Sequence, residues 1–110
     1  MKIAIAGSHG LIGNNLVTFF RKSNYQVSRI VRSKEQNGIF WDPLTGYINH
    51  KKLENYDVII NLCGEKIASL NPFFKNKDKL FQSRVTTNLI LSKTINKLNN
   101  PPKYFISASA

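Results

Sequence analysis

Residues 2–13 read KIAIAGSHGLIG. Lys2 to Ala6 is short, apolar and stopped by Gly7, the pattern of a strand buried on both faces in a parallel sheet. From Leu11 onward the period changes. Gly13, Leu16, Val17 and Phe20 recur at helical spacing and form one face. A helix is expected over residues 11–23, with Arg21 and Lys22 suiting the negative end of its dipole and Asn24 as a left-handed cap. A strand, a glycine-rich loop and a helix start together form a phosphate site, because backbone N–H groups and the helix dipole converge there. Gly7 would turn the chain off the strand, Gly10 would let a pyrophosphate approach without a Cβ in the way, and Gly13 would bring the helix close to the sheet. The spacing is G-x-x-G-x-x-G rather than the commoner G-x-G-x-x-G, so the context carries the reading. The competing interpretation is a tight structural turn without a ligand.

Working outward, Tyr25 to Val31 reads as a second strand and Asn37-Gly38 as a break. Ile39 to Trp41 is a third short strand, ended by Asp42-Pro43. Thr45-Gly46 suggests a turn between two short extended pieces, and residues 52–55 a single helical turn. Asp57 to Cys63 (DVIINLC) is the clearest strand in the chain. Residues 72–98 carry a long helix with Phe81, Val85 and Leu89 on one stripe and Leu91, Ile95 and Leu98 continuing the apolar surface. Asn99-Asn100-Pro101-Pro102 stops that helix, and Lys103 to Ser107 is a last strand. Strands alternate with helices, so the expected class is α/β: a doubly wound parallel sheet with helices on both faces.

Length and composition bound the rest. The 110 residues make one domain, 1–110, and 42% hydrophobic content supports a modest core. The single cysteine excludes an internal disulfide and fits a reducing compartment. No signal segment is visible, and no apolar run approaches the roughly 18–20 residues that span a membrane. A cytoplasmic protein without a membrane partner is expected. The net charge of +10, from 16 basic and 6 acidic residues, raises the question of nucleic acid. The basic residues are dispersed, without the aromatic interleaving of an RNA-binding strip, so a solvated Lys- and Asn-rich surface is expected and nucleic acid is not.

The strand ends sharpen the ligand. NAD sites carry Asp or Glu at the end of the second strand, where it accepts from the ribose 2′-OH. Here Val31 is followed by Arg32-Ser33-Lys34, with no acid before Glu35. A guanidinium suits a 2′-phosphate, so NADP is expected over NAD. Gly64, after Asn61-Leu62-Cys63, would keep the backbone low beside the cofactor. Cys63 reads as a small packing residue. His9 and His50 form no catalytic dyad and no metal-ligand spacing, so no metal is expected.

The segments GSHGLIG, IVRS, FWDP followed by TG, DVIINLCGEKI, SRVTTNLIL and PPKYFISASA run in one order along the chain. In that order they resemble the N-terminal part of an extended short-chain dehydrogenase/reductase, and more narrowly the epimerase-family proteins of the bacterial YfcH type, whose animal relative is short-chain dehydrogenase family 39U. The resemblance implies a Rossmann-like, NADP-binding domain that stops after the strand carrying the catalytic Ser. It implies cofactor contacts from Gly7, Ser8, Gly10, Leu11, Ile12 and Gly13 in the loop, from Val31 and Arg32, from Leu62, Cys63 and Gly64, and from Arg84. His9 stands where the family usually has Thr, and Cys63 where it has Ala. Asp42 is similar to an acid that meets the adenine amine. Ser109, with Ser107 second, matches the serine that orients the substrate oxygen. The family's Tyr-x-x-x-Lys acid/base pair and its substrate lobe are expected to be missing from this chain. The implied function is the NADP-binding part of an NAD(P)-dependent epimerase/dehydratase-like oxidoreductase acting on a small-molecule substrate, without turnover of its own. The alternative is a non-catalytic NADP-sensing module.

Overall fold

The first strand, β1 (Lys2–Ala6), sits at the centre of the molecule because both of its faces are apolar. Ile3 and Ile5 point to one side and Ala4 and Ala6 to the other, and all four are buried. The computed structural model describes residues 1–63 and 76–108, with residues 76–83 described by their helical backbone alone. Its elements follow in the order β1, α1 (Leu11–Lys22), β2 (Gln26–Val31), β3 (Ile39–Asp42), β4 (Tyr47–Ile48), a 3-10 turn (His50–Leu53), β5 (Val58–Asn61), α2 (Asn76–Asn96) and β6 (Tyr104–Ser107).

The sheet order is β4-β3-β2-β1-β5-β6. Ile3 is in register with Val27 of β2 and Val58 of β5, and Val58 with Tyr104 of β6; these pairings and that of β2 with β3 are parallel. The crossover through α1 moves the chain to one side of β1, and β5, α2 and β6 occupy the other. This reversal beside β1 leaves a crevice at the strand carboxyl ends.

One short strand runs against the otherwise parallel sheet. β4 returns antiparallel to β3, pairing Trp41 with Ile48 and Asp42 with Tyr47. The Thr45-Gly46 turn makes this possible, with Gly46 at φ +79 and its N–H donating to the Asp42 carbonyl at 2.9 Å. The helical turn lies at His50–Leu53, two residues earlier than expected.

The two faces of the sheet have separate cores. On one face Val17 of α1, with Leu16 and Phe20 packed beside it, covers Ile3, Ile5, Val58 and Ile60. On the other, Leu91 and Leu98 join Ala4, Ala6, Ile30, Trp41 and Ile59, with Ile90 and Ile95 at the margin. The α2 stripe expected through Leu89 is also corrected. Leu89 is exposed, and Thr87 and Thr94 are buried in line with Leu91 and Leu98. Both threonine hydroxyls bond back to the helix, Thr94 Oγ1 to the Ile90 carbonyl at 2.7 Å and Thr87 Oγ1 to the Arg84 carbonyl at 3.2 Å. That satisfies the hydroxyls and leaves the threonine methyls to pack.

Candidate dinucleotide site

The crevice is a pocket of about 510 Å³, within the range of small-molecule sites. Five carboxyl ends build it. β1 delivers residues 7–13, β2 ends in Ile30, Val31 and Arg32, β3 contributes Trp41, β5 leads to Leu62 and Cys63, and β6 to Ala108. Gln36 and His9 complete the rim, and Arg84 enters from α2.

The loop's geometry follows from its glycines. Gly7 has φ +73, and a Cβ there would fall 2.7 Å from the Leu62 carbonyl carbon and 2.8 Å from the Cys63 nitrogen. The loop after β1 thus lies against the loop after β5, and only glycine allows it. A Cβ on Gly13 would lie 2.6 Å from Ser8 Cα and 2.7 Å from the Gly7 oxygen. Gly13 therefore lets α1 pack on the glycine loop itself, where the sequence pointed to the sheet. Gly10 is different. The nearest atom to a Cβ there is the Gly7 oxygen at 3.8 Å. The fold leaves open space at Gly10, as a position reserved for a ligand would require.

Asn61 holds the β5 side of the pocket. Its Oδ1 accepts the Cys63 N–H at 2.9 Å, while its Nδ2 donates to Thr87 Oγ1 at 3.0 Å and Asn88 Oδ1 at 2.6 Å. This buried side chain pins the turn at Leu62 and Cys63 to α2. Burial raises the Cys63 thiol pKa, and a hydrogen bond and the charge of Arg32 only partly offset the rise. The thiol is therefore neutral near pH 7 and acts as a wall rather than a nucleophile.

Two buried polar atoms at this pocket have no partner among the described residues, Ser8 Oγ and Trp41 Nε1. Buried donors and acceptors are normally satisfied, so orphans at a pocket wall mark where a ligand or ordered water completes the bonding.

Of the residues singled out from sequence, Gly7, Ser8, Gly10, Leu11, Ile12, Gly13, Val31, Arg32, Leu62, Cys63 and Arg84 all line this one pocket. Gly64 and Ser109 lie outside the described residues. Ser107 is exposed at the end of β6, paired in register with Asn61, and is not part of the lining. Asp42 is not part of it either: its Oδ1 accepts the Leu44 N–H at 3.0 Å and holds the turn before β4. The Tyr-x-x-x-Lys spacing does occur once, at Tyr47 and Lys51, contrary to expectation. Tyr47 is exposed on β4 and Lys51 is exposed in the 3-10 turn, and neither lines the pocket. Sequence reasoning missed Trp41, Gln36, Ile30 and Ala108. Trp41 sits near the end of an expected strand, but nothing local marks it as a site residue. Among the described residues no cluster of His, Cys, Asp and Glu could hold a metal, and no helix is long and apolar enough to cross a membrane.

Residues 3–110 match the NAD dependent epimerase/dehydratase family. The chain belongs to this family. It is 37% identical over 95 residues to the epimerase family protein Mb2239 of Mycobacterium bovis, covering 84% of this chain and 32% of that protein. Among solved structures it is similar to the human epimerase family protein SDR39U1 with NADPH (TM-score 0.75, 27% identity, 97% of this chain and 36% of that one). It is also similar to the nucleoside-diphosphate sugar epimerase of Corynebacterium glutamicum (TM-score 0.77, 30% identity, all of this chain and 22% of that one). The family member described here thus spans about a third of the length of the curated relatives it matches.

Proposed function

We propose that this chain binds NADP(H) as the dinucleotide-binding portion of an epimerase-type oxidoreductase. The observation that carries the reading is that one pocket is lined both by the Gly7–Gly13 loop and by Arg32. The loop suits a pyrophosphate, through amide N–H groups and the start of α1. Arg32, exposed at the end of β2, suits the 2′-phosphate that separates NADP from NAD. Leu62 and the neutral Cys63 supply an uncharged wall, and Arg84 a second cation. The open space at Gly10 and the orphaned Ser8 and Trp41 atoms fit a group of this kind. The human relative solved with NADPH supports the same choice.

When bound, NADP(H) supplies hydride transfer at its nicotinamide. This chain's described residues hold and orient it; the substrate-orienting serine is assigned to Ser109, with Ser107 second. The neighbouring sugar epimerase supports a small polar substrate. A second reading is a non-catalytic NADP-binding module, without turnover. It is favoured by the position of the only Tyr-x-x-x-Lys spacing, Tyr47 and Lys51, away from the pocket.

The test is a thermal-shift titration with NADPH and NADH. A ligand that binds only the folded state adds about 2.7 kcal/mol at one hundred times its Kd. NADPH is expected to stabilise the chain more than NADH does. Arg32→Gln is expected to weaken NADPH by roughly tenfold, the size of one charge-assisted hydrogen bond, and to leave NADH unchanged. Equal or stronger stabilisation by NADH overturns the NADP assignment.

A further inference from the structure

Behind the glycine loop, on the side away from the pocket, lies an arginine that the dinucleotide reading does not use. Arg29 of β2 donates from Nη1 to the Ser8 carbonyl at 2.6 Å and from Nη2 to Asn14 Oδ1 at 3.0 Å. Asn14, in the first turn of α1, donates in turn from Nδ2 to the His9 carbonyl at 3.1 Å, and its backbone N–H donates to the Gly10 carbonyl at 2.9 Å. Two consecutive loop carbonyls, those of Ser8 and His9, are therefore held by the side chains of one arginine–asparagine pair, while the Gly10 carbonyl takes the ordinary first backbone bond of the helix. Neither Arg29 nor Asn14 lines the pocket, whereas Ser8, His9 and Gly10 do.

A trans peptide unit is planar, and its C=O and the following N–H point in opposite directions. Fixing the Ser8 and His9 carbonyls outward turns the His9 and Gly10 N–H groups the other way. Successive amides aimed at one concavity bind anions. The location of Arg29 needs the same explanation. A cation beside a helix N-terminus opposes the dipole, so it is held there by carbonyl acceptors and gains when an anion arrives.

We propose that Arg29 and Asn14 are positioning residues that pre-aim the His9 and Gly10 amides at the pyrophosphate of the dinucleotide. The proposal deepens the dinucleotide reading and rests on it for the identity of the ligand, though not for the anion it requires.

The experiment measures binding of three probes by calorimetry to the full chain: NADPH, inorganic pyrophosphate and adenosine 2′-monophosphate. The last carries the Arg32 end of the ligand without the pyrophosphate. Arg29→Gln is expected to weaken NADPH and inorganic pyrophosphate by roughly tenfold or more, the effect of losing a charged two-pronged donor. Adenosine 2′-monophosphate is expected to bind as before, which general damage to the pocket would not allow. Arg29→Lys is not expected to restore binding, because an ammonium keeps the charge but loses the fork. Asn14→Ala is expected to weaken the same two probes, and less than additively with Arg29→Gln, since the two residues act as one unit. Unchanged pyrophosphate affinity in Arg29→Gln, wild-type affinity in Arg29→Lys, or equal losses on all three probes would each overturn the proposal. Arg29-dependent binding of pyrophosphate without binding of NADPH or NADH would sink the dinucleotide reading and leave the clamp standing. NADPH binding that ignores Arg29 does the reverse, and a wild-type chain that takes none of the probes overturns both.

Discussion

Gly10 and Gly13 stand three residues apart, and a single methyl group would act on them in opposite ways. At Gly13 the methyl meets backbone at 2.6 Å and 2.7 Å, which cannot rotate aside. Gly13→Ala is expected to destabilise the chain by about 1–3 kcal/mol, as overpacking does. At Gly10 the methyl enters open space with nothing closer than 3.8 Å. Gly10 also caps α1 from an extended conformation that alanine adopts freely (φ −73, ψ 175), so the substitution costs no more than about 1 kcal/mol. Gly10→Ala is instead expected to abolish the NADPH-induced rise in Tm. Thermal denaturation of both variants with and without NADPH checks the asymmetry, and loss of stability at Gly10 without loss of binding would contradict it. These roles were half legible. The strand–loop–helix context assigned turn, ligand approach and packing to Gly7, Gly10 and Gly13, but what they lie against, Leu62 and Cys63 for Gly7 and Ser8 for Gly13, is set by the fold. Trp41 was illegible as a site residue for a related reason. Its place at the pocket follows from the pairing of β3 with β2, and no local pattern encodes that neighbour.

At the scale of elements, β1, α1 and β5 were readable because their periods are strong; glycine stops β1 and a basic last turn closes α1, whereas β5 spans Val58–Asn61, shorter at both ends than the expected Asp57 to Cys63. The α2 stripe was misread. Period counting favoured Leu89, yet the buried line runs through Thr87, Leu91, Thr94 and Leu98. A threonine that bonds its own helix packs like a branched aliphatic residue, and composition alone does not reveal that. β4, at two residues, is too short to show a period. The end of α2 contains a polar tie that is also invisible in sequence. Glu54, after the 3-10 turn, accepts from the Asn100 N–H at 2.9 Å and the Asn99 N–H at 3.0 Å. These bonds, Asn100 first and Asn99 next, hold its carboxyl below the ordinary value of 4.5, with His50 assisting. A depressed folded pKa means stability that is present above pH 4.5 and lost as pH falls through the folded value. Urea unfolding of the native chain and of Glu54→Gln is expected to show the largest difference near neutral pH, narrowing in the acid range. A difference that stays constant from neutral to acid would contradict the assignment.

For the whole molecule, a parallel sheet was implied by the alternation of elements, and its strand order was not. Among the described residues β6 ends the sheet, and Tyr104 and Ile106 stand 62% and 51% exposed on the same face as Val58 and Ile60. Beneath α1 that face is covered; beyond β5 it is bare. An exposed apolar edge strand invites pairing, and a net charge of +10 opposes it until salt screens the repulsion. Sedimentation is expected to show self-association that rises with protein and salt concentration. Ile106→Lys is expected to suppress it with Tm unchanged; association that persists in this variant would exclude the edge as its cause. The pocket lies at the opposite kind of boundary, deep at the strand ends, and its floor includes Trp41. That residue is the chain's single indole, fully buried and with no partner for its N–H among the described residues. All tryptophan emission from this protein therefore arises at one wall of one cavity. A reduced nicotinamide absorbs where an indole emits, so occupancy can be followed by quenching of native fluorescence, with no label attached. A bond to the indole N–H would in addition shift the colour of that emission, distinguishing a ligand that touches the floor from one that stays at the rim.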